Sequence, residues 1–276
     1  EGGRAALAAA SGQAAQMCAL LTILRQGDEI VSSSTLYGGT YSQFDATFRQ
    51  FGIQTIFVNA DDPENFRRAI TPKTRAIYAE TMGNPQINVL DIEAVAKIAN
   101  EAGVPLVIDN TFASPYLCQP IRFGADIVIH SATKFIGGHG TTMGGVVVES
   151  GKFPWGNGKY PMMTEPSRGY HGVIFHETFG DFGYTMKCRM ETMRTLGPVL
   201  SPFSAWILLQ GLETLHVRVA RHVENAMAVA TFLHDHPRVS WVNYPGLPGS
   251  KYHALAQKYL PKGSGSIMTF GIKGGM

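Results

Sequence analysis

The stretch Ser131–Lys134 (SATK) places a lysine between hydroxyl side chains and a glycine-rich segment. The preceding run, Ile127 to His130, is short and apolar, which is typical of a buried strand. Lysine is seldom buried unless it is paired or used, and a desolvated lysine loses its proton easily and can form a Schiff base. We therefore expect Lys134 to be a desolvated amine that holds an aldehyde or a ketone.

Three further polar side chains follow predicted strands of the same kind. Asp109 ends the segment PLVID, Asn84 follows AIYAE, and Tyr37 follows EIVSSS. In open parallel sheets, ligands bind beyond the carboxyl ends of the strands. We therefore expect these side chains to meet Lys134 at one edge of a sheet, although each alone also fits a cap, a turn or a packed aromatic position.

A phosphate site is predicted where Ser11-Gly12-Gln13 opens an apolar helical segment. The N-terminus of a helix offers free backbone N–H groups and a positive dipole end, and Ser131 and Thr133 would add hydroxyl donors. A lysine, a carboxylate and a phosphate cradle are together what pyridoxal 5′-phosphate chemistry requires. In that arrangement the Asp109 carboxylate would keep a pyridine nitrogen protonated.

Other motif interpretations are weaker. Ser131 and Lys134 also fit the S-x-x-K serine-nucleophile motif, but that motif opens a helix and is joined by S-D-N and K-T-G elements, whereas this stretch follows a strand. The segment GGHGTTMGG does not match a nucleotide-triphosphate P-loop. The histidines lack the spacing of a metal-binding motif, so we expect no metal site.

The composition limits the classes of protein to which this chain can belong. The chain has 276 residues, 45% of them hydrophobic and 16% charged, with a net charge of +2, which indicates a globular protein without a basic surface for nucleic acid or anionic membrane. Three widely spaced cysteines favour neither a disulfide framework nor a zinc site. No signal peptide or membrane-spanning run is visible. We therefore expect a cytoplasmic protein that contacts neither nucleic acid nor membrane.

Strand-like and helix-like segments alternate over the first two-thirds of the chain, which predicts an α/β fold with a mainly parallel sheet flanked by helices. We expect residues 1–200 to form a large domain. Residues 201–276 are expected to contribute one long linking helix, from about Pro202 to His234, and the start of a small α+β C-terminal domain. The predicted strands are Glu29–Ser33, Thr55–Asn59, Ala76–Glu80, Leu106–Asp109, Ile127–His130 and Gly145–Val148.

The sequence resembles the Cys/Met metabolism family of pyridoxal-phosphate enzymes, the cystathionine synthase and lyase group, which has the aspartate-aminotransferase-like fold (fold type I). The segments that carry the resemblance are SGQAAQ, STLYGGTY, ETMGNP, VIDNTFASP, HSATKFIGGHGTTMGG and LQGLETLHVRVARHVENA. Within the family, SGQAAQ, TEPSRGYHG, LSPFSAWILLQGLETL and YLPKGSGSIMTFGIKGG look most like the sulfhydrylases that act on O-acetylhomoserine.

The resemblance implies a role for each matching residue. Lys134 matches the lysine that holds the cofactor and then moves protons, and Asp109 matches the partner of the ring nitrogen. Tyr37 matches the tyrosine that stacks on the ring and handles protons, and Asn84 matches the residue near the phenolic oxygen. The phosphate contacts match the backbone of Gly12 and Gln13 and the side chains of Ser131 and Thr133.

Two departures from the family pattern bear on function. Methionine γ-lyases of the family usually have a cysteine two residues after the tyrosine, and this chain has Gly39 there, which favours a synthase. The family also has an N-terminal arm that reaches a neighbouring subunit, and a C-terminal arginine for the substrate carboxylate. We expect both to lie outside this sequence, which runs from Glu1 to Met276.

The expected reaction is a γ-replacement in methionine biosynthesis, in which O-acetyl-L-homoserine and sulfide give homocysteine and acetate. The expected partners are the amino-acid substrate, sulfide and further copies of the chain, assembled as a dimer of dimers. Two alternatives stay open: a γ-lyase acting on cystathionine or methionine, and a non-catalytic fragment that serves as an interaction module. The motifs also leave open the sulfur nucleophile and the acyl group.

Overall fold

A computed structural model describes residues 1–275. It contains a seven-stranded sheet in the order β1-β7-β6-β5-β4-β2-β3 and a separate two-stranded antiparallel sheet of β8 and β9. The strands are β1 Ala5–Ala9, β2 Glu29–Ser33, β3 Gln54–Val58, β4 Thr74–Glu80, β5 Leu106–Asp109, β6 Ile127–Ser131, β7 Gly145–Glu149, β8 Val239–Asn243 and β9 Thr269–Ile272.

The prediction of a mainly parallel sheet is confirmed. Strands β3, β2, β4, β5 and β6 run parallel, so their carboxyl ends share one edge. All six predicted strands are present within one or two residues of their predicted ends. Sequence reasoning missed β1, and it did not foresee that β7 pairs antiparallel with both β6 and β1.

Helices cover both faces of the sheet and bury its alternating residues. Ile77 and Ile108 lie in the core on the face covered by α5, whereas Tyr78 and Val107 lie on the face covered by α1. The α-helices are α1 Gly12–Leu21, α2 Gly38–Ser42, α3 Phe48–Gln50, α4 Glu64–Ala69, α5 Ile92–Glu101, α6 Ser114–Leu117, α7 Pro161–Thr164, α8 Phe175–Phe179, α9 Gly183–Lys187, α10 Arg194–Leu196, α11 Pro202–Glu213, α12 Leu215–Asp235 and α13 His253–Tyr259.

Shorter helical segments join some of these helices. Gln43–Thr47 and Cys188–Met193 are π-helical, and Pro120–Phe123 and Gly180–Phe182 are 3₁₀-helical. The single long helix expected from about Pro202 to His234 is wrong, because Thr214 separates α11 from α12. The Thr214 hydroxyl lies 3.3 Å from the carbonyl of Gly211 and accepts a hydrogen bond from Arg218, so a polar side chain occupies the junction.

The polypeptide after residue 200 packs onto the large sheet and also forms the β8–β9 sheet. Leu215 and Val219 of α12 belong to the same core as Val95 of α5. The division into domains at residues 200 and 201 stays a prediction. Over residues 1–275, no helix combines the length and the apolar character needed to cross a bilayer.

Candidate active site

A cavity of about 420 Å³ lies at the carboxyl edge of β2, β4, β5 and β6, where α1 begins. All eight residues singled out in the sequence line it, so the structure brings them together at one edge of the sheet. The lining consists of Gly12, Gln13, Tyr37, Asn84, Asp109, Ser131, Thr133 and Lys134, of Ser11, which opens the predicted phosphate site, and of residues that sequence reasoning did not select: Gln16, Thr40, Glu80, Met82, Thr111, Phe112 and Met143.

Lys134 lies in a tight turn that follows β6. Its backbone N–H donates to the carbonyl of Ser131 at 3.2 Å, and its own carbonyl accepts from Gly138 N at 2.7 Å. This turn is not a helix start, which disagrees with the serine-nucleophile motif. The expectation of a desolvated lysine is wrong: Lys134 is exposed, because it reaches into an open cavity rather than into the core.

Thr133 anchors the same turn from its other side. Its hydroxyl lies 3.1 Å from the amide nitrogen of Gly144 and 3.2 Å from the Gly144 carbonyl, so the hydroxyl is engaged by the backbone. The Thr133 N–H also donates to that carbonyl, at 3.3 Å. These contacts fix the position of the Thr133 hydroxyl within the turn.

Asp109 is held by Thr111, a residue that sequence reasoning passed over. Its carboxylate accepts from the Thr111 N–H at 2.9 Å and from the Thr111 hydroxyl at 2.5 Å, and that hydroxyl accepts from Ser131 N at 2.8 Å. Thr111 therefore ties the ends of β5 and β6 together. Burial raises the pKa of Asp109, while the Thr111 hydrogen bonds and the nearby His130 act to lower this pKa.

Glu80 is a second carboxyl group in the cavity, and sequence reasoning did not select it. It is the last residue of β4, and its carboxyl accepts a hydrogen bond from the backbone N–H of Tyr37 at 2.7 Å. Glu80 thereby fixes the backbone from which the half-exposed Tyr37 ring rises. Burial raises the pKa of Glu80 well above its ordinary value, and the neighbouring Asp109 charge raises it further.

The N-terminus of α1 is built as a close-fitting backbone cradle. The Ser11 hydroxyl caps the helix by accepting from Ala14 N at 3.1 Å. A Cβ atom on Gly12 would lie 2.7 Å from Ser131 Cβ, so only glycine lets the helix end approach the turn of Lys134 so closely. The first N–H groups of α1 therefore face the cavity beside the hydroxyl of Ser131.

The position of Gly39 is also sterically restricted. A Cβ atom there would lie 2.4 Å from the Tyr37 ring and 2.6 Å from the amide nitrogen of Gln13. A cysteine two residues after the tyrosine would therefore force both cavity side chains to move. The glycine agrees with the synthase pattern expected from the sequence.

Three features of this cavity suit a phosphorylated, cationic aromatic ring. The uncovered N–H groups of α1 suit a phosphate, and the Asp109 carboxylate suits a protonated ring nitrogen. The side-chain nitrogen of Gln16 is buried at the cavity wall and has no hydrogen-bond partner within residues 1–275. Within the same residues, no group of three or more His, Cys, Asp or Glu side chains is arranged to hold a metal ion.

A second compartment of about 410 Å³ continues from the first. The two share Tyr37, Asn84, Phe112, Thr133 and Lys134, so the lysine stands at their common boundary. The additional lining comes from the turn after Lys134, from α12 and from the approach to β9: Phe135, Gly138, Gly140, Arg218, His222 and Ile267.

Comparison with known proteins agrees with this geometry. The sheet and its flanking helices are those of the aspartate-aminotransferase-like fold, fold type I. A crystal structure from Campylobacter jejuni, assigned as an O-acetylhomoserine (thiol)-lyase with a pyridoxyl-lysine phosphate residue, superposes with a TM-score of 0.95 at 36% identity, covering 99% of this chain and 68% of the other. The sequence profile of the Cys/Met metabolism PLP-dependent enzyme family matches residues 1–276, and the chain belongs to that family.

Two curated relatives narrow the similarity. The chain is 55% identical over 285 residues to the O-acetyl-L-homoserine sulfhydrylase of Leptospira meyeri, covering all of this chain and 64% of the relative. It is 52% identical over 276 residues to the homocysteine/cysteine synthase of Saccharomyces cerevisiae, covering 99% of this chain and 62% of the relative. The chain thus spans less than two-thirds of the length of these relatives.

Proposed function

We propose that this chain is the cofactor-binding part of a pyridoxal-phosphate enzyme that converts O-acetyl-L-homoserine and sulfide to homocysteine and acetate. The observation that carries the proposal is the meeting of Lys134, Asp109 and the start of α1 in one cavity. The similarity to sulfhydrylases over the whole chain favours the γ-replacement over other reactions of the family.

The cavity residues divide the binding of the cofactor among them. We assign the phosphate to the backbone of Gly12 and Gln13 and to the hydroxyls of Ser131 and Thr133. The ring nitrogen is assigned to Asp109, because a buried carboxylate needs a cationic partner to stay ionised. Tyr37 would stack on the ring, and Asn84 would donate to its phenolic oxygen. When bound, the cofactor supplies an electron sink for negative charge that develops on the substrate.

Lys134 and Tyr37 are proposed as the residues that move protons. The Lys134 Nζ would hold the cofactor, and the same amine would accept a proton from the substrate carbon and return it. Tyr37, like Lys134, lines both compartments. Overall, a C–O bond at Cγ breaks to release acetate, and a C–S bond forms at the same carbon.

The assignment of Lys134 can be tested by spectroscopy. The protein loaded with pyridoxal 5′-phosphate should show the visible absorbance band of a lysine-bound cofactor, and borohydride should fix the cofactor covalently on Lys134. Lys134→Ala should abolish both signals. Lys97→Ala, an exposed lysine of α5, is the matched control and should retain them. A wild-type chain that neither absorbs nor is labelled would overturn the assignment and favour a non-catalytic role.

Product analysis tests the reaction itself. Turnover of O-acetyl-L-homoserine with sulfide should yield homocysteine and acetate in equal amounts. Parallel reactions with the succinyl ester, with methanethiol and with cysteine define the acyl group and the nucleophile. Release of 2-oxobutyrate as the main product while sulfide is present would contradict a synthase and support the lyase.

We also propose that the chain assembles with further copies of itself, as a dimer of dimers. Support comes from α11, whose outward face carries the exposed apolar side chains Phe203, Trp206 and Leu209. Such a contiguous apolar face is typical of an interface between subunits. Light scattering of the loaded protein tests the assembly.

A cytoplasmic location is proposed because Cys18, Cys118 and Cys188 are buried free thiols, which suits a reducing compartment.

A further inference from the structure

Arg218 of α12 lines the second compartment and contacts the turn that carries Lys134. Its Nη1 donates to the carbonyl of Phe135 at 2.8 Å, and its Nη2 lies 3.3 Å from the carbonyl of Ile136. Phe135 is the residue next to Lys134. The guanidinium therefore binds the backbone one peptide unit away from the proposed cofactor lysine.

The same guanidinium ties this turn to the helix junction. Nη2 donates to the carbonyl of Gly211 in α11 at 2.6 Å, and Nε donates to the hydroxyl of Thr214 at 3.0 Å. Among the ion pairs formed by residues 1–275, none includes Arg218. The hydrogen bonds of its guanidinium go to three backbone carbonyls and one hydroxyl, so the side chain bridges two segments of the chain.

Two glycines make room for this bridge. A Cβ atom on Gly138 would lie 2.2 Å from Nη1 of Arg218, so the guanidinium packs directly against the backbone of the turn. A Cβ atom on Gly211 would lie 2.3 Å from the carbonyl oxygen of Gly137, so α11 touches the turn from its other side. Both approaches leave no space for a larger residue, which indicates that the turn is held rather than loosely covered.

From these contacts we infer that Arg218 is a positioning residue that clamps the turn Phe135–Gly138 between α11 and α12 and thereby fixes the backbone of Lys134 relative to Asp109. The Lys134 side chain is long and exposed, so its aim depends on where its backbone is held. A planar fork of five donors can reach carbonyls on both segments at once, whereas an ammonium group has three donors around a single atom. The inference rests on the proposed function for the role of Lys134, but not for the clamp itself.

The test compares Arg218→Gln with the wild-type protein and with Arg221→Gln. Arg221 lies one turn further along α12, is 69% exposed and pairs with Glu224, so its replacement should change nothing. In Arg218→Gln, amide hydrogen exchange at Gly138 should be at least about tenfold faster, since its N–H donates to the Lys134 carbonyl. In the loaded protein, borohydride labelling of Lys134 should slow by a similar factor, and turnover should fall without a matching rise in KM.

Arg218→Lys supplies the conservative comparison and should recover part of the labelling rate, because one ammonium group can still donate to one or two of the carbonyls. If Arg218→Gln fails to fold, Thr214→Val and Arg218→Lys are measured in its place, and both should accelerate exchange at Gly138 by a smaller factor. If every folded Arg218 and Thr214 variant shows the wild-type exchange rate at Gly138 and the wild-type labelling rate of Lys134, the proposed role of Arg218 as a clamp is wrong. Faster exchange at Gly138 in a protein whose wild-type form does not bind the cofactor would uphold the clamp and refute the proposed function.

Discussion

Glu80 and Asp109 stand opposite each other, in register, on the neighbouring parallel strands β4 and β5. Both carboxyl groups line the cavity, and burial raises the pKa of each. The Thr111 hydrogen bonds and His130 oppose the rise in the pKa of Asp109, whereas the Asp109 charge adds to the rise at Glu80, so we expect Glu80 to be the more readily protonated of the two.

This division predicts that the two acids respond differently to replacement by their amides. Glu80→Gln mimics the protonated form and keeps an oxygen for the Tyr37 N–H. It should therefore weaken cofactor binding by less than about threefold, a free-energy change smaller than that of one hydrogen bond. Asp109→Asn leaves a cationic ring nitrogen without its partner and should cost about 3–5 kcal/mol of binding. Fluorescence titration with pyridoxal 5′-phosphate measures both. Equal losses would show that Glu80 is ionised.

Tyr37→Phe is expected to separate stacking from proton transfer. The ring remains in place, so cofactor affinity should change little, whereas loss of the hydroxyl should lower turnover by about 10²–10⁴-fold. The matched control is Tyr41→Phe. Tyr41 stacks on Phe57 at 4.5 Å between ring centroids, outside the cavity, and its variant should turn over normally. A Tyr37→Phe variant with wild-type turnover would remove the tyrosine from the mechanism.

Gly12→Ala tests the phosphate cradle. The added methyl group would stand 2.7 Å from Ser131 Cβ, which forces the start of α1 away from the turn of Lys134. The affinity for pyridoxal 5′-phosphate should fall by about tenfold or more, as overpacking costs about 1–3 kcal/mol. Gly249→Ala has open space around its Cβ and serves as the control. Equal affinities in the two variants would place the phosphate elsewhere.

Asp126 makes the stability of the chain depend on pH. Burial raises its pKa to about 7, although its carboxylate accepts the Leu106 N–H at 2.9 Å, whereas an unfolded aspartate titrates near pH ~3.9. Because the folded state holds the proton more tightly, the contribution of Asp126 to the free energy of unfolding is greatest below pH ~4 and declines as the pH rises through about 7.

Asp126→Asn should remove that decline while keeping an oxygen for Leu106. At pH 8 the variant should be more stable than the wild type by on the order of 4 kcal/mol, since the rise in pKa from ~3.9 to about 7 is worth ~1.4 kcal/mol per unit, and near pH 4 the two should agree. Urea unfolding from pH 4 to 8, without cofactor, measures the difference between the two proteins. A constant difference across this range would show that Asp126 titrates normally in the folded state.

The parallel part of the sheet was predictable because its strands are short apolar runs that bury both faces, and such runs stand out against polar helices. The site followed from the same pattern, since chemistry-bearing residues at the ends of neighbouring parallel strands must share an edge. The strand β1 was missed for the converse reason. Its sequence AALAA is rich in alanine, a residue with little preference for strands, so only pairing with β7 defines it.

Glu80 and Thr111 could have been found from the sequence, by the same reasoning about strand ends that selected Asp109. Glu80 ends a buried strand, as Asp109 does, and Thr111 stands two residues after that aspartate, where its hydroxyl can reach back. The break at Thr214 and the exposure of Lys134 were not accessible in this way. The break depends on the packing of α11 and α12 against a turn some 80 residues earlier, and the exposure depends on an open cavity, and no local pattern records either.

The antiparallel pairing of β1 with β7 also has a consequence during synthesis. The partner strand of Ala5–Ala9 is Gly145–Glu149, so β1 leaves the ribosome long before it has a strand to bind. At about 5–20 residues per second, this interval lasts about 7–27 s. Throughout it, the start of α1 lacks the edge of the sheet on which it later rests. Premature termination anywhere before β7 would therefore release a nascent chain with an unpaired strand, a species that chaperones and proteases recognise.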